Sequence, residues 1–222
     1  MGKIKIKKND VWIDMTPMSD VMVLLLTFFM LSVNFTKNEV VKVITPGSTT
    51  KAKVSSSAVL DITIDPEGRV LMSTDKVVTL EKALDQMLKD RETSLTADQK
   101  KEIVNFNQIG IPVRSLPDFL SKSHEDQVKL MKTTGIPTDS LQNREDKMSE
   151  FQLWVKAMKN GYKEWYNDLA DAEKVGVANT LEICIKADKE TPYSAVKMVI
   201  AELQDINESR YKLVTQAKKL EE

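Results

Sequence analysis

The carboxylate with the most unusual setting in this 222-residue chain is Asp20, which stands immediately ahead of the apolar run V-M-V-L-L-L-T-F-F-M-L-S-V. A carboxyl group held in apolar surroundings with access to water can bind and release a proton, and each binding event changes its tolerance for those surroundings. Other chemistry has little to work with. Cys184 is the only cysteine, so no intrachain disulfide forms, and its place in L-E-I-C-I suits a buried structural thiol better than a nucleophile. His124 is the only histidine and lies in the polar stretch S-K-S-H-E-D. A metal centre or a Ser-His-Asp triad needs more convergent groups than this, so no metal, no cofactor and no enzymatic activity are expected. A net charge of −1 with 29% charged residues gives no basic character directed at nucleic acid.

What must position Asp20 is the segment 12–35, the only stretch apolar enough to enter a bilayer. Val21–Val33 alone is too short to cross ~30 Å of hydrocarbon at about 1.5 Å per residue, and the extension back to Trp12 and on to Phe35 makes up the length. That extension draws Asp20 into the membrane. Thr16 reads as a helix N-cap and Pro17 as its first helical residue, where the missing N–H costs nothing, which puts Asp20 in the first turn. Lys3, Lys5, Lys7 and Lys8 precede the segment, and the positive-inside bias sets the amino end in the cytoplasm. A cleavable signal peptide is the rival reading, but no small-x-small cleavage site follows Leu31, and Asp14, Pro17 and Asp20 interrupt the expected apolar core. An uncleaved transmembrane helix is the better reading.

The remainder divides by pattern. Residues 1–11 form a cytoplasmic tail, 12–35 the transmembrane helix and 36–57 a linker rich in Ser, Thr and Lys. Within that linker V-V-K-V-I is a short β-prone piece, either solvated or docked on a sheet edge. Residues 58–90 read as β-β-α: A-V-L-D-I-T-I-D, a D-P-E-G-R turn, V-L-M-S, then a helix capped by Thr79 with Leu80, Ala83, Leu84, Met87 and Leu88 as its stripe. Residues 179–222 read as β-α-β, with a helix opened by Thr191-Pro192 and carrying Tyr193, Val196, Val199, Ile200, Leu203 and Ile206 on one face, then R-Y-K-L-V-T-Q as the last strand. Between them, 91–178 is a mainly helical insertion with a capping box at Thr96–Gln99. The heptapeptides G-I-P-V-R-S-L and G-I-P-T-D-S-L, from Gly110 and Gly135, agree at five of seven positions and hint at two similar helix-ending turns. Trp154, Tyr162, Trp165 and Tyr166 read as a local core rather than a ligand box. The fold class is a single N-terminal transmembrane helix followed by an α+β domain (ββα + βαβ) with a helical insertion.

The stretch I-D-M-T-P-M-S-D-V-M-V-L-L-L-T-F-F-M resembles the signature of the ExbD/TolR family of proton-driven energy transducers. In that family an Ile-x-x-Thr-Pro-x-x-Asp-Val-Met motif opens the transmembrane helix, and Thr16, Pro17, Asp20, Val21 and Met22 match it. L-D-I-T-I-D-P-E-G-R-V-L-M and I-K-A-D-K-E-T-P-Y-S-A-V-K-M-V resemble the hairpin and the second half of the family's periplasmic domain. The insertion departs from the family, whose two halves are joined by a short connection.

The resemblance implies a single-pass subunit of the bacterial inner membrane, with Asp20 as proton carrier and the carboxyl-terminal domain in the periplasm. It implies a polytopic ExbB-like partner, a TonB-like transducer serving outer-membrane transport, and a homodimer. A TolR-like subunit of the Tol-Pal envelope system, contacting peptidoglycan, is the alternative within the family. Outside it stands a membrane-tethered periplasmic scaffold or binding module whose insertion holds the function.

Overall fold

Alternating apolar residues and a D-P-E-G turn make the hairpin from which the domain is built. The computed structural model describes residues 16–32, 41, 43–48, 58–91, 93–106, 108–138, 148–170, 173–174, 176–214 and 216–217. In chain order the elements are α1 (Thr16–Ser32), β1 (Gly47–Ser48), β2 (Val59–Ile64), β3 (Val70–Thr74), α2 (Val77–Asp90), α3 (Ala97–Phe106) and β4 (Gln108–Ile109). A 3-10 turn at Val113–Ser115 leads to α4 (Leu116–Leu120), α5 (His124–Thr133), α6 (Glu150–Asp168), β5 (Glu182–Ala187), α7 (Tyr193–Asp205), β6 (Tyr211–Leu213) and β7 (Gln216–Ala217). Two compact units result, residues 1–37 and 38–222.

The second unit is a mixed α/β domain on a five-stranded sheet of order β4-β3-β2-β5-β6. β2 pairs antiparallel with β3 and parallel with β5, and β5 pairs parallel with β6. Register sorts the side chains: Leu60, Ile62 and Ile64 stand beside Val70, Met72, Ile183 and Ile185 on one face. Onto this core pack Leu80, Ala83, Leu84 and Met87 of α2, Phe151, Trp154, Val155, Met158 and Tyr162 of α6, and Val199 and Leu203 of α7. Segment 91–178 therefore supplies β4 to the sheet and α6 to its core. The aromatic cluster is part of that core: Trp154 and Tyr162 are buried, Trp165 and Tyr166 half-buried.

Several local expectations are corrected. Thr79 does not cap α2, which starts two residues earlier at Val77; Thr79 is buried in its first turn, and its hydroxyl has no partner among the described residues. The turn from β3 leaves only Asp75 and Lys76 before the helix, and Asp75 accepts instead from the N–H groups of Ala58 and Val59, both at 3.0 Å. Thr191 donates to the carbonyls of Asp65 (2.9 Å) and Ile64 (3.3 Å), fastening the entry of α7 to the end of β2, while Pro192 is the N-cap. Tyr193, at the head of α7, is exposed rather than on the packed stripe. The last strand is shorter than R-Y-K-L-V-T-Q; Gln216–Ala217 leaves the main sheet to pair in parallel with Gly47–Ser48. The capping box at Thr96 forms as expected, with Gln99 N donating to Thr96 Oγ1 (3.4 Å) and Thr96 N to Gln99 Oε1 (3.0 Å).

Val41, Val43 and Ile44, the described residues of the β-prone piece, are not in a strand, yet Val41 and Ile44 are bonded to their own domain. Val41 N donates to the Gln108 side chain at 3.2 Å, Ile44 N donates to Asp188 Oδ2 at 2.7 Å, and Lys189 N donates to the Ile44 carbonyl at 3.0 Å. Gln108 belongs to β4 and Asp188 follows β5, so the segment is bonded to its domain at these two places. Residues 49–57 lie outside the described residues.

Candidate functional site

The apolar segment is helical from Thr16 to Ser32, 17 residues with a single charged side chain, Asp20. The absence of β-breaking or helix-breaking residues after Pro17, and the run of Leu, Met and Phe, make this the expected conformation. Pro17 occupies the first turn, where its missing N–H breaks no bond. Asp20 is the fifth residue and opens the second turn, so the expected first-turn placement is off by one; Thr16 itself is already helical, which shifts the helix start. The flanking residues 12–15 and 33–35 of the expected span, and the lysines at 3, 5, 7 and 8, lie outside the described residues.

The helix is apolar all round. Val21, Met22, Val23, Leu24, Leu25, Leu26, Phe28, Phe29, Met30 and Leu31 are each at least half exposed. A helix that is apolar on every side is characteristically buried, among other protein elements or in lipid. At about 1.5 Å per residue the described 17 residues extend about 25 Å. Among the described residues no helix is long and apolar enough to cross a membrane. Thr27 is the one polar residue between Val21 and Leu31, and its hydroxyl donates to the Leu24 carbonyl at 3.0 Å.

Elsewhere the chemically capable groups are engaged structurally. Cys184 is buried in β5 on the sheet face opposite the helices, and burial pushes its thiol up to about 11, with Asp61 and Glu182 adding to the shift and Lys212 and Lys186 opposing it. Lys186 and Asp61 pair at 3.0 Å across β5 and β2 beside it. His124 stacks on Phe106 at 5.3 Å between ring centroids. The Tyr162 hydroxyl donates to the Ala178 carbonyl at 2.6 Å, and burial raises its pKa, with Asp75 and Tyr166 contributing. Among the described residues no group of three or more His, Cys, Asp or Glu is placed to hold a metal ion.

Sequence reasoning missed Asp188. Its side chain binds the backbone N–H groups of Ile44 and Glu190, and these bonds hold its carboxyl below the usual carboxylate range. The only sequence signal was D-K-E-T-P, a turn signature that does not reveal a partner 144 positions away.

The chain thus consists of an apolar helix bearing one carboxylate and, later in sequence, a mixed α/β domain. Residues 7–218 match the family model described as Biopolymer transport protein ExbD/TolR, and the chain belongs to that family. Neither a curated protein nor a solved structure matches it.

Proposed function

We propose that this chain is the single-pass subunit of a proton-channelling motor in the bacterial inner membrane, coupling the proton gradient to TonB-dependent outer-membrane transport. The observation that carries this reading is the solitary carboxylate of α1: Asp20 is the only charged residue in a helix whose entire apolar circumference must be covered. Residues 12–35 then form the membrane span, with the amino end in the cytoplasm and the α/β domain in the periplasm. A charged Asp inside a bilayer costs about 2.5–3.5 kcal/mol, which is offset where other helices or water line the site. The partner that supplies those helices is an ExbB-like polytopic protein, and this chain sits among them as a homodimer.

Asp20 loads a proton from the external side and releases it to the cytoplasm. Each charge that moves across 100 mV makes about 2.3 kcal/mol available. Neutralising Asp20 lets its helix face meet apolar neighbours and ionising it forbids that, so each cycle biases rotation or sliding of the helix, and the domain transmits the motion to a TonB-like transducer.

The test is Asp20→Asn in the full chain. Expression and co-purification with the partners should be unchanged while energised uptake is abolished; uptake at the wild-type rate in a correctly assembled variant overturns the mechanism. Co-purification of a TolA-like rather than a TonB-like chain would move the protein to the Tol-type branch, with peptidoglycan as a further contact.

A further inference from the structure

Residues seven apart on an α-helix are separated by about 700° of turn, about 20° short of two full turns, and by about 10.5 Å along the axis. Asp20 and Thr27 have this spacing, so they lie on nearly the same line of α1, with Val23 and Leu24 between them on either side. From Val21 to Leu31 every other residue is apolar. Along Asp20's face, Thr27 is thus the only group in that stretch that can hold water by hydrogen bonding.

The Thr27 hydroxyl proton is directed to the Leu24 carbonyl at 3.0 Å. This bond satisfies the donor, which is what any threonine in an apolar helix needs. It leaves the two oxygen lone pairs open as acceptors. A hydroxyl fixed in this way accepts a hydrogen bond from water. It thereby anchors a water on the line leading to Asp20, where the rest of the surface would exclude one.

We infer that Thr27 is a positioning residue for the proton path, holding a water on the external side of Asp20 from which that carboxylate is loaded. The inference rests on the proposed role of Asp20 and on the amino end facing the cytoplasm, which makes Thr27 the outward of the two. No proton is carried by Thr27 itself: its O–H stays on the Leu24 carbonyl, and the proton reaches Asp20 through water. A gap of about 10 Å is bridged by a few such waters or by a partner's polar group.

The experiment compares wild type with Thr27→Val, Thr27→Ser and Asp20→Asn, each made as the full chain with its membrane partners. Proton release from acidified everted membrane vesicles, whose lumen corresponds to the external side, is followed with a pH-sensitive dye, and co-purification of the partners measures assembly. Thr27→Val, nearly the same shape, should slow proton movement about two- to tenfold, the range expected from one lost hydrogen bond. Thr27→Ser, which keeps the oxygen and loses the methyl, should restore it. Wild-type flux in Thr27→Val, or an equal loss in Thr27→Val and Thr27→Ser, overturns the inference, the second result because it assigns Thr27 to packing. Loss of partner co-purification in Thr27→Val also overturns it in favour of packing. Undiminished flux in Asp20→Asn instead overturns the reading beneath it, so the two failures are separable.

Discussion

The backbone N–H of Ile44 donates to the carboxylate of Asp188 at 2.7 Å, and the next residue along, Lys189, donates back to the Ile44 carbonyl at 3.0 Å. This reciprocal pair fastens the segment between the apolar helix and the folded domain to the turn that follows β5. It is a junction of exposed groups, since Ile44 is 61% exposed, so its strength comes from geometry rather than burial.

Asp188→Ala should therefore loosen the segment without unfolding the domain. Hydrogen exchange at Ile44 is expected to accelerate several-fold while the strands β2 and β5 keep their protection. Acid should loosen the segment likewise, seen as lower protection of Ile44 relative to intrinsic exchange at the same pH. The folded-state pKa of Asp188 lies below its ordinary value of 3.8, so its contribution is present above that value and is lost as pH falls through the lower, folded one. Protection of Ile44 relative to intrinsic exchange that is unaffected by both treatments would show that Asp188 does not hold the segment.

Trp154 is fully buried in α6, against a core shared with α2 and the sheet. Trp154→Ala should destabilise the domain by about 3–5 kcal/mol, read from the urea midpoint. Removing residues 91–178 outright should prevent folding, because Leu80, Leu84 and Met87 would lose the helix that covers them. A stable, cooperatively folding deletion variant would show instead that the insertion is dispensable to the core.

The two Gly-Ile-Pro segments both press on β3. A Cβ at Gly110 would stand 2.7 Å from Leu71 Cδ2, the movable end of a side chain. At Gly135 it would meet Arg69 Cβ at 2.8 Å and the Val70 backbone nitrogen at 3.0 Å, beside the point where Ile136 N donates to the Val70 carbonyl. Gly135→Ala is expected to cost about 1–3 kcal/mol, and Gly110→Ala less, since Leu71 can turn aside and a paired strand cannot. Thermal melting of the two variants checks the order.

Cys184 makes the domain sensitive to alkali. Its thiol is raised from 9.0 to about 11, so its contribution is complete below the unfolded value and declines as pH climbs from 9 towards 11. The urea midpoint of wild type should fall more steeply over that window than that of Cys184→Ala. Parallel slopes would remove the thiol as the cause. At neutral pH the native protein should react with a maleimide only on unfolding.

Periodicity alone located most of the elements. The alternation in A-V-L-D-I-T-I-D and the turn before V-L-M-S gave neighbouring strands, and Leu80, Ala83, Leu84, Met87 and Leu88 are buried together as their 3.6-residue spacing requires. Apolar content marked out α1, the helix that carries Thr16, Pro17 and Asp20. Boundaries at helix starts were less legible: Thr79 looks like a cap but the helix begins before it, since the connection from β3 and the duty of Asp75 towards Ala58 and Val59 decide where the first turn starts.

Long-range pairings were decided by tertiary structure. Nothing local in Gln108–Ile109 distinguishes a two-residue strand from a loop; it becomes β4 because β3 presents unpaired backbone groups at that edge. Likewise the Ile44–Asp188 contact joins residues whose own neighbourhoods are unremarkable. Sequence by itself determined that one carboxylate stands in an apolar helix and that an α/β domain follows, because composition and period are properties of the chain. Which segments close the sheet, and that α6 completes the core, depended on edges and faces that exist only once the chain has folded.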